Sequence, residues 1–196
     1  MFASARLAIL AAGALAMALP QAGGQVGACD EASGGGSFAW EVRDFTYNAF
    51  WIYQNPAHLW AQGRLNYTLV NPATGREAVC SAFSTQQSDF FYGNFIYSCS
   101  SSVPGDSDET LPRPTFAFNG YGLWRLRVNE TWTCNKGTSK IYVGSGTKDL
   151  DLKCNDTGVV QNPDWKPGQP GNFYSTRYLD CGPLTTTLPA NVAIGV

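Results

Sequence analysis

The sequence predicts an all-β fold, a compact antiparallel β-barrel or sandwich of about ten short strands stabilised by disulfides. Three observations predict it. Segments in which large apolar residues alternate with polar ones recur between turn signals. Beyond the first 20 residues, no stretch of about 11 residues carries helical spacing. Six cysteines lie in a chain that opens like an exported protein.

In chain order, residues 1–20 read as a secretory signal peptide. Arg6 precedes an apolar run from Leu7 to Leu19 that is too short to cross a bilayer, and Ala16, Ala18 and Ala22 offer small residues for cleavage. Residues 21–36, with Cys29 and the Gly34-Gly35-Gly36 triplet, are expected to form a flexible arm. A single β-barrel domain is placed at 37–190 and a loose tail at 191–196.

Phe38, Trp40 and Val42 alternate with Ala39, Glu41 and Arg43, which makes the first half-buried strand, and the aromatic run from Phe45 to Tyr53 breaks at Asn55-Pro56. Leu65, Tyr67 and Leu69 alternate with Asn66, Thr68 and Val70, Asn71-Pro72-Ala73-Thr74-Gly75 turns the chain, and Glu77 to Phe83 supplies the partner strand. Strand propensity resumes in Phe90 to Tyr92 and Phe95 to Cys99, whereas Ser100 to Pro114 reads as an exposed loop. Thr115 to Phe118 is a short strand ending in the hairpin signal Asn119-Gly120. Trp124, Leu126 and Val128 then alternate with Arg125, Arg127 and Asn129, and Trp132 and Cys134 extend the inward set.

Lys140 to Val143 is a strand before an expected turn at Gly144-Ser145-Gly146, and Leu150, Leu152 and Cys154 alternate again. Pro163, Pro167, Gly168 and Pro170 preclude regular structure from Asn155 to Asn172, the longest expected loop. Phe173 to Cys181 and Thr185 to Leu188 complete the strands.

All six cysteines lie beyond the leader, so in an oxidising compartment they are expected as disulfides. Closure between neighbouring strands pairs Cys80 with Cys99 and Cys134 with Cys154. Cys29 is left either for Cys181 or for a second chain in a homodimer. Asn66, Asn129 and Asn155 each open an N-glycosylation tripeptide. The net charge of −2 becomes one unit more negative once Arg6 leaves with the leader, which argues against nucleic acid or an anionic membrane as partner.

Catalytic sets are hard to assemble from these residues. His58 is the single histidine, placed after Pro56 in an expected loop, so any serine or cysteine nucleophile would depend on it alone. With every cysteine oxidised no Cys/His zinc set remains, and no cofactor is expected. Glu41 with Asp44, or Asp149 with Asp151, are the acid pairs that suit glycoside hydrolysis, but they read as solvated acids on outward faces. Asp106, Asp108 and Glu109 are oxygen ligands without the glycine and spacing of a calcium loop. Most of the six Trp, nine Tyr and eleven Phe must fill the core. Trp51, Trp60 and Trp165 fall outside clean alternation and are candidates for a carbohydrate platform or partner surface.

One family resemblance stands on these residues. Cys29, Phe38-Ala39-Trp40-Glu41-Val42-Arg43-Asp44-Phe45, Leu65-Asn66-Tyr67-Thr68-Leu69, Cys80-Ser81-Ala82, Tyr97-Ser98-Cys99, Phe116-Ala117-Phe118 and the pair Cys134 and Cys154 follow in an order that resembles the major Alternaria allergen family. Those are small secreted fungal β-barrel proteins, and the resemblance spans roughly Cys29 to Leu188. It implies the same two intrachain bridges, Cys80 with Cys99 and Cys134 with Cys154, and a residue like Cys29 able to link two chains. Cys181 departs from the pattern. It further implies a secreted or wall-associated effector or elicitor without catalysis, whose partner is a host plant protein of the thaumatin-like defence class or a small phenolic ligand. The alternatives are a small secreted glycan-active hydrolase and a passive carbohydrate- or cell-wall-binding protein.

Overall fold

A computed structural model describes residues 23–34, 36–101, 111–120, 122–134 and 140–195. The leader placed at 1–20 and the acids Asp106, Asp108 and Glu109 lie outside the described residues. A short helix α1 (Gly23–Gly34) is followed by strands β1 (Ala39–Asn55), β2 (His58–Asn71), β3 (Arg76–Ser84), β4 (Tyr97–Ser98), β5 (Ser100–Ser101), β6 (Thr115–Asn119), β7 (Arg125–Trp132), β8 (Ile141–Asp149), β9 (Cys154–Asp156), β10 (Val160–Gln161) and β11 (Ser175–Gly195). The fold is all-β and every strand pair is antiparallel.

Neighbours run β4-β6-β7-β8-β11-β1-β2-β3-β5. Cys99 alone separates β4 from β5, so the two ends of that order are one stretch of chain and the sheet curls into a nearly closed eight-strand barrel. An eight-strand barrel has an interior just wide enough for side chains to fill. Here rings fill it. Phe45 stacks on Tyr67 at 5.6 Å and meets Phe118 at 5.4 Å, while Phe38 and Tyr142 lie 4.8 and 5.8 Å from Trp132. Trp40, Phe45, Phe116, Leu126, Trp132, Tyr142 and Leu188 are completely buried.

The alternation read in β2 and β7 is the observed in-out pattern: Leu65, Tyr67, Leu69, Leu126, Val128 and Trp132 all point inward. The turn at Asn71 to Gly75 is also present. The Gly75 amide donates to the Asn71 carbonyl at 2.8 Å, and the Asn71 side chain accepts from the Ala73 and Thr74 amides.

Several expectations are corrected. Gly144-Ser145-Gly146 is not a turn but the middle of β8. Both glycines face the core, where a Cβ at Gly144 would come within 2.8 Å of the Trp132 and Trp40 rings and one at Gly146 within 2.4 Å of the Pro189 carbonyl, so the indoles need the missing side chains. Of the loose tail expected at 191–196, the described residues 191–195 are instead the end of β11, paired with β8 as far as Gly195. The loop from Asn155 to Asn172 contains β9 and β10, which add short strands beside β11. From Phe90 to Cys99 only Tyr97 and Ser98 form a strand.

The expected flexible arm at 21–36 holds α1. Its sequence has no apolar stripe, and a 12-residue helix is marginal alone, so tertiary contacts hold it. Cys29 and Ser33, one turn apart, both face the barrel. Cys29 is bonded to Cys134, Ser33 accepts from Trp132 Nε1 at 2.9 Å, and Asp30 takes Lys140 at 3.2 Å together with the Tyr142 hydroxyl.

Disulfide pairing differs from the local-closure reading in two of three bonds. Cys80–Cys99 is as expected, but Cys134 pairs with Cys29 and Cys154 with Cys181. Cys154 lies directly opposite Cys181 because β9 pairs with β11 and not with β7, so proximity in sequence to Cys134 is no guide. Cys29 has no thiol left for a second chain, and no cysteine is free. Non-reducing peptide mapping is therefore expected to return these three links and no interchain bond. Removing Cys29–Cys134, which closes a loop of 105 residues, should cost about 4 to 5 kcal/mol, and removing Cys80–Cys99 about 3 kcal/mol, measured by denaturant unfolding.

One buried carboxylate lies in the core. Glu130 follows the inward phase of Leu126, Val128 and Trp132, and it accepts from Trp40 Nε1 at 2.5 Å and Asn71 Nδ2 at 3.1 Å. Burial pushes its pKa above 4.5, only partly offset by the two hydrogen bonds and the nearby positive charge of Arg76. A carboxyl that binds its proton more tightly when folded favours the folded state increasingly as pH falls toward 4.5. The thermal stability of the native protein relative to a Glu130→Gln variant should therefore rise between pH 7 and about 4.5; a flat difference would contradict the burial of the charge.

Candidate functional site

Past the bulge at Asp44, residues at even positions in β1 from Thr46 onward point away from the barrel interior, and so do their partners across the sheet, whereas Trp40 and Val42 before it point inward. Three rows result on the outer face formed by β10, β9, β11, β1, β2 and β3. In the first, Val160 lies opposite Thr176, Thr176 opposite Ile52, and Ile52 opposite Trp60. In the second, Tyr178 lies opposite Phe50 and Phe50 opposite Gln62. In the third, Asn155, Asp180, Asn48, Arg64 and Phe83 follow in turn, with Asn48 Nδ2 donating to Asp180 Oδ1 at 2.7 Å.

Large apolar side chains are left in solvent on this face. Trp60 is 51% exposed, Val160 53%, Phe83 53% and Tyr178 43%, and the Trp60 ring stands edge-on to half-buried Phe50 at 4.9 Å. Trp60, Phe50 and Tyr178 are neighbours across β2, β1 and β11, and clustered exposure of large apolar side chains is one mark of an interaction surface. Phe50 lies on β1, which is paired with β11 on one side and β2 on the other, so its ring has a rigid support, whereas Val160 lies on the two-residue edge strand β10.

At the first row's end the chain from Asn155 to Asn172 folds over the sheet edge and leaves a cleft of about 220 Å³, lined by Val160, Gln161, Asn162, Gly171, Phe173, Ser175 and Thr176. Asn162 is fixed in place: its amide donates to Asn172 Oδ1 at 2.6 Å and to the Phe173 carbonyl at 3.0 Å, and its own Oδ1 accepts from the Asp164 amide.

The three tryptophans singled out in the sequence gather around the end of β1 but do not share a surface. Trp60 is on the outer face. Trp165 donates from Nε1 to the Gln54 carbonyl at 3.1 Å and packs edge-on to Tyr174 at 5.5 Å. Trp51 sits on the opposite side of β1 against Phe90, with the Arg177 guanidinium 4.6 Å above its ring. Phe50, Tyr178 and Val160 were missed. The phase of Phe45, Tyr47 and Ala49 along β1 already places Phe50 outward, but the pairing that brings Tyr178 and Val160 beside it is long-range.

The candidate acids are engaged elsewhere. Glu41 and Glu77 flank Arg43 at 2.8 and 2.7 Å, Asp149 grips Arg125 at 2.6 Å, and Asp151 meets Lys153 at 2.7 Å. Asp44 is exposed at a bulge with φ of 53°, its amide donating to Thr185 Oγ1. His58 is exposed in the β1–β2 hairpin, its Nδ1 2.9 Å from Asn55 Oδ1. Among the described residues no group of three or more His, Cys, Asp or Glu is placed to hold a metal ion. Of the three glycosylation candidates, Asn66 and Asn129 are half-buried within paired strands, whereas Asn155 is exposed on β9.

A family model, Alternaria alternata allergen 1, matches residues 42–181. The chain belongs to this family. No curated protein and no solved structure matches it. The allergen 1 match begins within β1 and ends at Cys181, so it contains Cys80–Cys99, Cys154–Cys181 and all three outer rows. Cys29 and α1 lie before it, which leaves the Cys29–Cys134 bond with one end outside the matched span.

Arg177 also grips Asp156, through Nε at 2.9 Å and Nη2 at 2.5 Å, and this fork holds β9 against β11. The guanidinium, helped by the Gly158 amide, lowers the Asp156 pKa to about 2. An acid whose folded pKa is depressed contributes stability that is fully present above its ordinary value near 3.8 and is lost as pH falls through its folded one. The stability difference between the native protein and Asp156→Asn should stay constant from pH 7 to about 5 and vanish between about pH 4 and 2. Because Asp156 is solvent-exposed the effect will be small, and salt should reduce it.

Proposed function

We propose that this chain is an exported fungal binding protein that acts at a host surface as an effector or elicitor, through contact and without chemical turnover. The outer face of β11, β1 and β2 carries the reading: Trp60, Phe50, Tyr178 and Val160 form an apolar patch that nothing within the described chain covers. Export is supported by the leader-like residues 1–20 and by three disulfides, which persist in oxidising compartments. Asn155 is the acceptor for an N-glycan whose side chain is open to solvent. The thaumatin-like defence protein and the small phenolic that the resemblance implied are the partners to try first on this face.

Purified secreted protein infiltrated into leaf tissue is expected to provoke a defence response, read as an oxidative burst. The combined Trp60→Ala, Tyr178→Ala variant should lose most of it while remaining folded, since both side chains are about half exposed on the outer face and their truncation opens no cavity in the core, costing on the order of 1 kcal/mol. An undiminished response from that variant would move the contact away from this face. Turnover of a glycan or ester that disappears on substituting His58 or Asp149 would replace the reading with an enzymatic one.

A further inference from the structure

We infer that the cleft between β10 and the start of β11 is a sugar subsite that takes one neutral pyranose unit of a wall glycan, with the neighbouring unit lying along the row toward Trp60. The inference rests on the reading above only in taking this face as a contact surface.

Three features of the cleft select the ligand. Its volume of about 220 Å³ suits one ring, well below the space a drug-sized molecule occupies. None of its lining side chains is ionisable, so a carboxylate, phosphate or ammonium would gain no partner there and would lose hydration on entry. The lining sets apolar Val160 and Phe173 against the exposed amide of Gln161 and the hydroxyl of Thr176, with buried Ser175 and the internally bonded Asn162 forming its wall. A neutral ligand that meets both needs an apolar face and hydrogen-bonding groups around its edge. A pyranose has both, because its axial C–H groups form one face while hydroxyls ring the periphery.

Preorganisation and continuity add to the case. Both N–H groups of the Asn162 amide are spent on Asn172 and Phe173, so this side chain is a fixed wall of the cleft and the hydrogen bonds to a ligand fall to Gln161 and Thr176. The row from Val160 through Thr176 and Ile52 to Trp60 crosses four strands, and neighbouring strands lie about 4.8 Å apart. Trp60 therefore lies about 14 Å from Val160 along a row in which Thr176 is polar and half-buried and Ile52 is buried, a length that a short oligosaccharide spans and a single sugar does not.

The test titrates purified secreted protein with cellohexaose and xylohexaose, which represent plant walls, and with chitohexaose and laminarihexaose, which represent fungal walls, followed by calorimetry. At least one is expected to bind with Kd of about 1 mM or tighter. Gln161→Ala and Trp60→Ala, both at exposed positions, should each weaken that binding about tenfold or more while remaining folded. Which pair of sugars binds assigns the source. Absence of heat with all four, equal binding by the Gln161→Ala variant, or tighter binding of a galacturonic acid hexamer than of any neutral sugar would overturn the inference. An elicitor response that persists while no sugar binds sinks the subsite and leaves the functional proposal standing; loss of the leaf response with sugar binding intact does the reverse.

Discussion

Closure of the barrel depends on a very small amount of sheet. β4 reaches β6 through two residue pairs and β5 reaches β3 through two more, so the stretch from Tyr97 to Ser101 joins the two sides with few hydrogen bonds. Cys99, at the point where it passes from one neighbour to the other, is bonded to Cys80 on β3, and its amide donates to the Pro114 carbonyl at 2.8 Å. The covalent link does what a long paired strand would otherwise do. Without it, β3 and β6 become open edges and the rings of Tyr67 and Phe116, 5.3 Å apart, face water.

The opposite end of the barrel is held differently. Trp40 and Trp132 are too large for the space that ordinary residues on β8 would leave, and Gly144 and Gly146 make the room. Each indole N–H then needs an acceptor inside the protein. Glu130 serves Trp40, and Ser33 on α1 serves Trp132. The helix is thus part of the solution to a polar group created by the core, and Cys29–Cys134 fixes it in that position. Asn71 connects the arrangement to the β2–β3 turn, because one amide supports Glu130 while the oxygen of the same side chain accepts from turn amides.

These dependencies explain what the sequence disclosed and what it concealed. Alternation reports which side of a strand is wet, so the inward sets of β2 and β7 were legible residue by residue, whereas in β3 the larger Val79 and Phe83 face water and Ala78, Cys80 and Ala82 face the core. Glu130 was legible in the same way, as a charge in the phase of Leu126 and Trp132, though it was passed over. Strand partners far apart in sequence were not legible. Cys154 faces Cys181 because β9 lies beside β11, and no local pattern announces that pairing. The glycines of β8 look like a turn because their reason lies in indoles on other strands. The same limit applied to the outer face, where Trp60 stood out on its own but its neighbours Tyr178 and Val160 arrive by long-range pairing.

A barrel filled in this manner constrains where recognition can occur. Wider barrels hold ligands in the lumen, but Trp40, Phe45, Phe116, Phe118, Trp132 and Tyr142 occupy this one and exclude water almost entirely from their side chains. Binding inside would require displacing rings that the fold needs for stability, at several kcal/mol for each large side chain removed from its contacts. The outer face carries no such cost. Phe50, Trp60 and Tyr178 can lose their remaining contact with water to a partner without disturbing anything beneath, because the strands that carry them are already fixed by the core on their other side. Interior packing and the outer surface are therefore assigned to alternate residues of the same strands, and the two can vary separately: Tyr47 and Ala49 serve the interior while Asn48 and Phe50, their immediate neighbours, face outward.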